Sequence, residues 1–415
     1  MEMVLEFLRD VLSQPALLIG IMSCIGLIAL KRPFHKIMTG TLKPILGYLM
    51  LAAGAGVIVS NLDPLGKMIE HGFHITGVVP NNEAIVAVAQ KVLGVETMSI
   101  LVVGLLMNLC IARFTKFKYV FLTGHHSLFM ACLMSAVLGT AGLSGMELIL
   151  VGGFLMGAWS AISPAIGQSY TSKVTDGDEI AIGHFGSLGY YLSAWVAKYV
   201  GKAEDSTEDI EIPEKWGFLR DSTLSTALTM IVFYLIAAFA AGSEFVATLS
   251  GDMSPYLYAV MSAMNFAVGV TIVYSGVRMI LGDLIPAFQG IATKIIPNAI
   301  PAVDCAVFFT YAPTAVVLGF LSSFIGGIIG MLILGAIGGV LIIPGLVPHF
   351  FCGATAGIYG NATGGRRGAA VGAFLNGLAI TFLPALALPV LGQLGFQNTT
   401  FGDADFAVMG LVLGN

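Results

Sequence analysis

The segment Ile300-Pro-Ala-Val-Asp-Cys-Ala-Val-Phe-Phe309 places a single carboxylate, that of Asp304, within an otherwise apolar run. Burying a charged group costs several kcal/mol unless a partner, a proton or a ligand compensates it. One interpretation is a buried Asp that caps a broken helix near Pro301. The other is a ligand site inside an apolar bundle, which the rule for intramembrane charges favours.

The apolar character of this segment extends along the whole chain. Of its 415 residues, 57% are hydrophobic and only 10% are charged, whereas a soluble domain carries about 25% charged residues. Because so few charges cannot cover a soluble surface, we expect lipid contact. The 52 glycines suit a membrane bundle, in which small residues let helices approach closely. The net charge of −5 gives no indication of nucleic-acid binding.

Apolar runs separated by polar gaps predict an all-α polytopic membrane protein. A spanning helix needs about 20 apolar residues, and this rule predicts about ten or eleven crossings. Several runs are short or interrupted by Gly and Pro, which is typical of the broken or re-entrant helices of transporters. The predicted spans are 15–30, 45–59, 98–111, 120–138, 146–166, 223–242, 255–275, 299–318, 320–335, 338–347 and 368–391.

A polar stretch near the middle of the chain, residues 198–221, predicts an exposed linker between two related halves. Lys43 is followed four positions later by Gly47 in the first half, as Arg278 is by Gly282 in the second. Repeated halves with broken helices are typical of transporters with a central binding site. The predicted parts are a first repeat at about 15–197, the linker, a second repeat at about 222–393, and a partial last helix at 404–415.

Three further places carry ionisable side chains in apolar or glycine-rich surroundings. His125 and His126 follow Thr-Gly between apolar stretches, which predicts a helix that starts inside the membrane. His184 lies in a glycine-rich stretch that permits close approach of a small ligand. Glu83 fits equally well as a ligand-site residue and as a helix N-terminal residue facing water. Such polar groups predict a polyhydroxylated or weakly acidic solute.

The sequence lacks motifs for a metal, a nucleotide or a serine nucleophile. The spacing of Asp, Glu and His matches no metal-ligand pattern, and neither HExxH nor GxxxxGK[ST] occurs. This argues against an ATP-driven pump. The five cysteines form no CxxC pair and are expected to be small buried hydrophobic residues. No metal and no cofactor are predicted.

Five blocks of sequence are informative in combination. They are Leu122-Thr-Gly-His125, Val174-Thr-Asp-Gly-Asp-Glu-Ile-Ala-Ile-Gly-His184, Val303-Asp-Cys-Ala306, Tyr311-Ala-Pro-Thr-Ala-Val-Val317 and Leu341-Ile-Ile-Pro-Gly345. With these blocks the chain resembles the ascorbate-type enzyme IIC permeases of the bacterial phosphotransferase system, and the resemblance covers nearly the whole chain.

The resemblance implies a homodimer embedded in the lipid of the bacterial plasma membrane. Each protomer would have about eleven spans, arranged as two inverted repeats with re-entrant helices. A V-shaped dimerisation domain would hold a substrate-binding core domain, which moves in elevator-like alternating access. A separate cytoplasmic enzyme IIB, charged through enzyme IIA, would phosphorylate L-ascorbate during uptake.

The resemblance also implies a substrate pocket. Two glutamines of the family are replaced by Phe129 and Phe185, so we expect ascorbate or a less hydroxylated relative, with aromatic rings packed on a sugar face. Asp304 or one His is a candidate general base for the attacked hydroxyl. A sugar or polyol permease of the galactitol type, and an uncoupled secondary carrier, stay open as alternatives. The predicted substrate-binding residues are Asn82, Glu83, His125, Phe129, His184, Phe185 and Asp304.

Overall fold

The computed structural model describes residues 10–11, 14–74, 77–80, 82–177, 179–210, 222–392 and 399–414. Helices dominate, and short strands join them. In chain order the elements are α1 (Pro15–Ala29), α2 (Phe34–Phe73), β1 (Val79–Pro80), α3 (Asn82–Phe114), β2 (Tyr119–Phe121), α4 (Gly124–Thr140), α5 (Gly145–Thr175), β3 (Ala181–Ile182), α6 (Ser187–Val200), α7 (Ser222–Ala241), α8 (Ser243–Ser250), α9 (Pro255–Lys294), β4 (Ile300–Val303), a 3₁₀ helix (Cys305–Thr310), α10 (Pro313–Ala336), α11 (Leu346–Gly392), β5 (Thr399–Thr400) and α12 (Ala404–Gly414).

The long apolar helices confirm a polytopic membrane protein. Among the described residues, six helices are long and apolar enough to cross a membrane, or seven if the pair α7 and α8, bent by 116°, is counted as one broken span. This is fewer than the predicted number, so ten or eleven crossings stay a prediction. The two inverted repeats and the homodimer likewise stay predictions.

One helical layer, which we call the scaffold, consists of α1, α2, α7, α8 and α9. Both α2 and α9 have 40 residues, and a helix of that length extends about 60 Å. They cross in close contact because glycines face each other: a Cβ on Gly54 would lie 2.7 Å from the Gly269 carbonyl oxygen, and one on Gly47 would lie 2.9 Å from that of Gly276. Small residues at such crossings are what membrane helices use to approach closely.

The remaining helices, which we call the core, surround a small three-stranded parallel sheet in the order β2-β4-β3. Phe121 and Ala181 both pair with Ala302 of the central strand. Each strand is followed directly by a loop or a helix start. Because the strands are parallel, the three chain segments that follow them start at the same edge of the sheet, although they are distant in sequence.

The sheet corrects two of the predicted spans. Residues 299–318 do not form a spanning helix: they form β4, the 3₁₀ helix and only the start of α10. Likewise, 120–138 begins as strand β2 before α4 starts at Gly124. The helix predicted at 320–335 begins earlier, at Pro313, whose fixed φ suits a first helical position. Most of the predicted span 338–347 precedes α11 and is not helical.

The exposed linker at 198–221 stays a prediction as a boundary between two repeats. Its first residues complete α6, and most of 201–210 is exposed, although Thr207 is buried. The Glu208 carboxylate accepts hydrogen bonds from the backbone N–H groups of Thr314 (3.0 Å) and Ala315 (3.1 Å) at the start of α10. Helix N-termini leave such donors unpaired and favour negative charge, which explains why this acidic stretch is anchored. Residues 211–221 lie outside the described residues.

Candidate functional site

A cavity of about 1000 Å³ lies at the sheet edge, between α2 of the scaffold and the core. Apolar side chains line most of it, and a few polar groups converge on one part of its wall. This combination is typical of small-molecule sites, where apolar walls bury the ligand and a few polar groups orient it. The polar and aromatic residues that matter below are Tyr48, Asn82, His125, His126, Phe129, His184, Asp304 and Asp403.

Asp304 and His125 form the first polar pair of the wall. β4 ends immediately before Asp304, and β2 ends shortly before α4, which carries His125. Asp304 Oδ2 lies 3.5 Å from His125 Nε2, and the other ring nitrogen, Nδ1, lies 3.4 Å from the Tyr48 hydroxyl of the scaffold. Asp304 Oδ1 accepts a hydrogen bond from Ala306 N at 3.1 Å and so caps the 3₁₀ helix.

His184 enters the same wall from the loop after β3. Its Nδ1 accepts a hydrogen bond from the backbone N–H of Gly186 at 3.2 Å and lies 2.8 Å from the Tyr190 hydroxyl. Because a backbone N–H can only donate, Nδ1 is an acceptor, and a neutral His184 carries its proton on Nε2. The rings of His184 and His126 lie 3.8 Å apart, centroid to centroid. Both histidines line the cavity.

A second carboxylate, Asp403, lines the cavity and was missed by the sequence analysis. Strands β1 and β5 pair in parallel, with Pro80 opposite Thr400, and this brings Asn82 to Asp403. Asn82 Nδ2 donates to Asp403 Oδ2 at 2.5 Å, and Cys352 Sγ donates to Asp403 Oδ1 at 2.8 Å. The signal that singled out Asp304, a lone acid within an apolar run, does not apply to Asp403, because Asp405 lies two residues away and the polar run Gln397-Asn-Thr-Thr400 precedes it.

The two phenylalanines that replace glutamines of the family lie in different surroundings. Phe129 is 9% exposed, lines the cavity, and lies edge-on to His125 with ring centroids 5.8 Å apart. Phe185 is fully buried and stacks on Phe121 at 4.7 Å, so its ring does not reach the cavity. Glu83 belongs to α3, but its side chain lies outside the described residues.

Two groups of side chains have the donor atoms of a metal site. His184, Asp304 and Cys305 offer ligand atoms within 4.8 Å of one another, and so do His184, Cys352 and Asp403. Imidazole, thiolate and carboxylate would suit zinc. In both groups, however, donor atoms are already engaged: His184 Nδ1 with Tyr190, Asp304 Oδ1 with Ala306 N, and Cys352 with Asp403. Each of these atoms therefore already takes part in the hydrogen bonds of the cavity wall.

Residues 10–405 match the model of the EIIC-GAT family, the PTS system sugar-specific permease component. The chain belongs to this family. The EIIC-GAT assignment confirms the resemblance found in the sequence, and with the spanning helices it identifies a multi-pass membrane permease. The chain is 28% identical, over 417 aligned positions, to the ascorbate-specific PTS system EIIC component of Mycoplasma pneumoniae (strain ATCC 29342 / M129 / Subtype 1). That alignment covers 86% of this chain but only 62% of the relative's length.

Proposed function

We propose that this EIIC-GAT permease takes up L-ascorbate, or a close relative, across a bacterial plasma membrane. Uptake is coupled to phosphorylation by a separate enzyme IIB, which receives its phosphoryl group through enzyme IIA. The protein works as a homodimer. The proposal draws on the name of the Mycoplasma relative, an ascorbate-specific component, and on the chemistry of the cavity wall.

The observation that carries the proposal is the convergence of His125, His184 and Asp304 on one cavity. Three parallel strands lead to these side chains from three separate segments. Asp304 and His125 contact each other, Asp304 also accepts from Ala306 N, and His184 lies beside the Tyr190 hydroxyl. Imidazole and carboxylate groups together can donate to and accept from several hydroxyls. The apolar remainder of the wall, including Phe129, can pack on a ring face.

The pair of His125 and Asp304 supplies a route for the proton released on phosphorylation. When the solute hydroxyl attacks the phosphoryl group carried by enzyme IIB, its oxygen forms a new bond to phosphorus. The bond between phosphorus and the enzyme IIB side chain breaks, with its electron pair staying on enzyme IIB, and the hydroxyl proton must leave. Asp304 Oδ2 and His125 Nε2, 3.5 Å apart, are both within reach of a hydroxyl bound between them. One of them acts as the general base.

Alternating access follows from the position of the cavity between two layers. Tyr48 reaches the cavity from the scaffold, whereas Asp304 and His125 belong to the core. In an elevator-like cycle the core carries the solute past the scaffold, and the contact between Tyr48 and His125 is made in one state and broken in the other.

Thermal unfolding of the purified protein with and without solute tests the proposal. L-Ascorbate at a concentration about 100 times its Kd should stabilise the folded state by about 2.7 kcal/mol through mass action, which raises the melting temperature. Galactitol is the comparison solute. Stabilisation by galactitol and not by ascorbate would overturn the choice of solute.

The polyol alternative stays open because the pocket differs from the family pattern. Phe129 presents an apolar ring to the cavity, and Phe185 does not reach it, so amide groups are absent at both positions. A neutral polyol would then rely on the histidines, the carboxylates and the Asn82 amide. The uncoupled carrier is tested separately: undiminished accumulation of unmodified ascorbate in cells lacking enzyme IIB would establish it.

A further inference from the structure

We propose that Asp403 is a solute-contacting residue that determines specificity by accepting hydrogen bonds from solute hydroxyls. The inference rests on the proposed function, since it concerns the same cavity, and deepens it by naming a solute class. That class presents neutral hydroxyls to Asp403. L-Ascorbate has this construction, with an acidic ring enediol and a neutral two-carbon side chain that bears two hydroxyls.

The burial of Asp403 is the first argument. Only 4% of this residue is exposed, yet within the described part of the chain Asp403 forms no ion pair with Lys, Arg or His. Burying a carboxylate without a cation is costly, and inside a membrane protein it is retained mainly where it serves a function. The residue also lines the cavity, so a solute bound there can approach its carboxylate.

The hydrogen bonds of Asp403 leave part of its capacity unused. Oδ2 accepts from Asn82 and Oδ1 accepts from Cys352. An ionised carboxylate has about four lone-pair sites, so about two stay open for other donors. A solute hydroxyl can fill one of them without displacing a protein group.

The carboxylate is also held rigidly. Asn82, which donates to it, is itself fixed by a hydrogen bond from Gly402 N at 2.9 Å. On the other side the Tyr190 hydroxyl lies 3.5 Å from Cys352 Sγ and 2.8 Å from His184 Nδ1. A chain of polar contacts therefore joins Asp403 to His184. An acceptor held in place before binding costs little ordering entropy when the solute arrives.

The charge of Asp403 limits which solute group can lie beside it. An anionic group there would meet like charge, so the partner of Asp403 must be a neutral donor. The side-chain hydroxyls of L-ascorbate meet this requirement, and its ionised enediol does not. L-Ascorbate and 6-deoxy-L-ascorbate differ only in the terminal hydroxyl of that side chain, so this pair probes the contact directly.

Isothermal titration calorimetry on the purified protein tests the contact. The measurements form a cycle in which the Asp403 carboxylate and the solute hydroxyl are removed separately and together. Wild type should bind L-ascorbate about 10- to 100-fold more tightly than 6-deoxy-L-ascorbate, because hydrogen bonds to charged groups contribute that much to affinity. Asp403→Asn should lose about the same factor for L-ascorbate and then barely distinguish the two solutes. The matched control is Asp283→Asn, whose carboxylate pairs with Lys43 at 3.5 Å on the scaffold, and it should leave both affinities unchanged.

Two results would overturn the inference. The first is that Asp403→Asn binds both solutes as tightly as wild type does. The second is that the affinity lost through Asp403→Asn and the affinity lost through deletion of the hydroxyl simply add, because then Asp403 does not contact that hydroxyl. If Asp403→Asn fails to fold, Asp403→Glu, which displaces the carboxylate by one methylene, enters the same cycle. If wild type does not bind L-ascorbate, the proposed solute is wrong, and galactitol with its monodeoxy analogue L-fucitol tests Asp403 by the same criteria. Failure of all four solutes to bind wild type overturns both proposals.

Discussion

Asp304 uses its two carboxylate oxygens for different purposes. Oδ1 accepts the Ala306 N–H and starts the 3₁₀ helix, while Oδ2 faces His125 on the cavity wall. The two interpretations of the sequence, a helix cap and a ligand site, are therefore compatible, because each uses a different oxygen. The helix cap fixes the side chain in the orientation that the cavity requires.

Replacing Asp304 by Asn should separate these two roles. The Asn side chain keeps an acceptor for the cap, so the free energy of unfolding should fall by less than about 1 kcal/mol. Loss of the charge opposite His125 should slow phosphoryl transfer from enzyme IIB to solute by about 10²- to 10⁴-fold, the usual contribution of a general base. Melting temperature and transfer in membrane vesicles are the two measurements.

The control for this experiment is Asp252→Asn, a carboxylate in an exposed turn of the scaffold. It should change neither the melting temperature nor the transfer rate. Full solute binding together with full transfer in Asp304→Asn would show that Asp304 is not the base.

At the scale of elements, the crossing of α2 and α9 depends on glycine at particular positions. A Cβ on Gly54 would lie 2.7 Å from the Gly269 carbonyl oxygen and 2.8 Å from Val273 N. Backbone atoms cannot move aside as a flexible side chain can, so the two helices would have to separate. Gly56, two residues further along the same helix, faces open space.

Gly54→Ala should therefore destabilise the protein, and Gly56→Ala should not. We expect about 1–3 kcal/mol of lost stability for Gly54→Ala, the usual cost of overpacking. Gly56→Ala should be neutral or stabilising by up to about 1 kcal/mol, because Ala is the better helix former. Thermal unfolding of both variants in the same detergent makes the comparison, and equal melting temperatures would mean that the close crossing contributes nothing to stability.

At the scale of the whole molecule, the scaffold and the core meet around the cavity. One contact on the cavity wall joins α2 to the start of α11, where a Cβ on Gly66 would lie 3.8 Å from Leu346 Cδ1. The scaffold is also linked internally, for example between α7 and α9, where the hydroxyls of Thr223 and Thr271 lie 3.1 Å apart. These two places allow matched cross-links.

A short thiol-reactive cross-linker between Gly66→Cys and Leu346→Cys should stop transport if the core moves against the scaffold. Solute binding should persist, and reduction of the link should restore uptake. The same reagent between Thr223→Cys and Thr271→Cys joins two scaffold helices and should leave uptake unchanged. Both pairs are made with Cys24 and Cys110 replaced by Ser. Full uptake with the first link intact would contradict elevator-like movement.

The sequence by itself determined the class of protein and part of the site. Hydropathy is a sum over neighbouring residues, so it identified a polytopic membrane protein without any knowledge of the fold. The same local contrast singled out His125 and Asp304, because an ionisable side chain in apolar surroundings is visible from its sequence neighbours. His184 was singled out by the glycines around it.

Only the tertiary structure decided which of these residues meet, because that depends on pairings between distant segments. The strands that lead to these residues have two to four residues, which is too few for a periodic signal. The hydropathy of 299–318 therefore predicts a helix where the structure has a strand. Asn82 and Asp403 lie 321 residues apart, and no local pattern links them. The burial of Phe185, in the turn after β3, likewise depends on its stacking on Phe121 of β2, a contact that arises because both strands pair with β4.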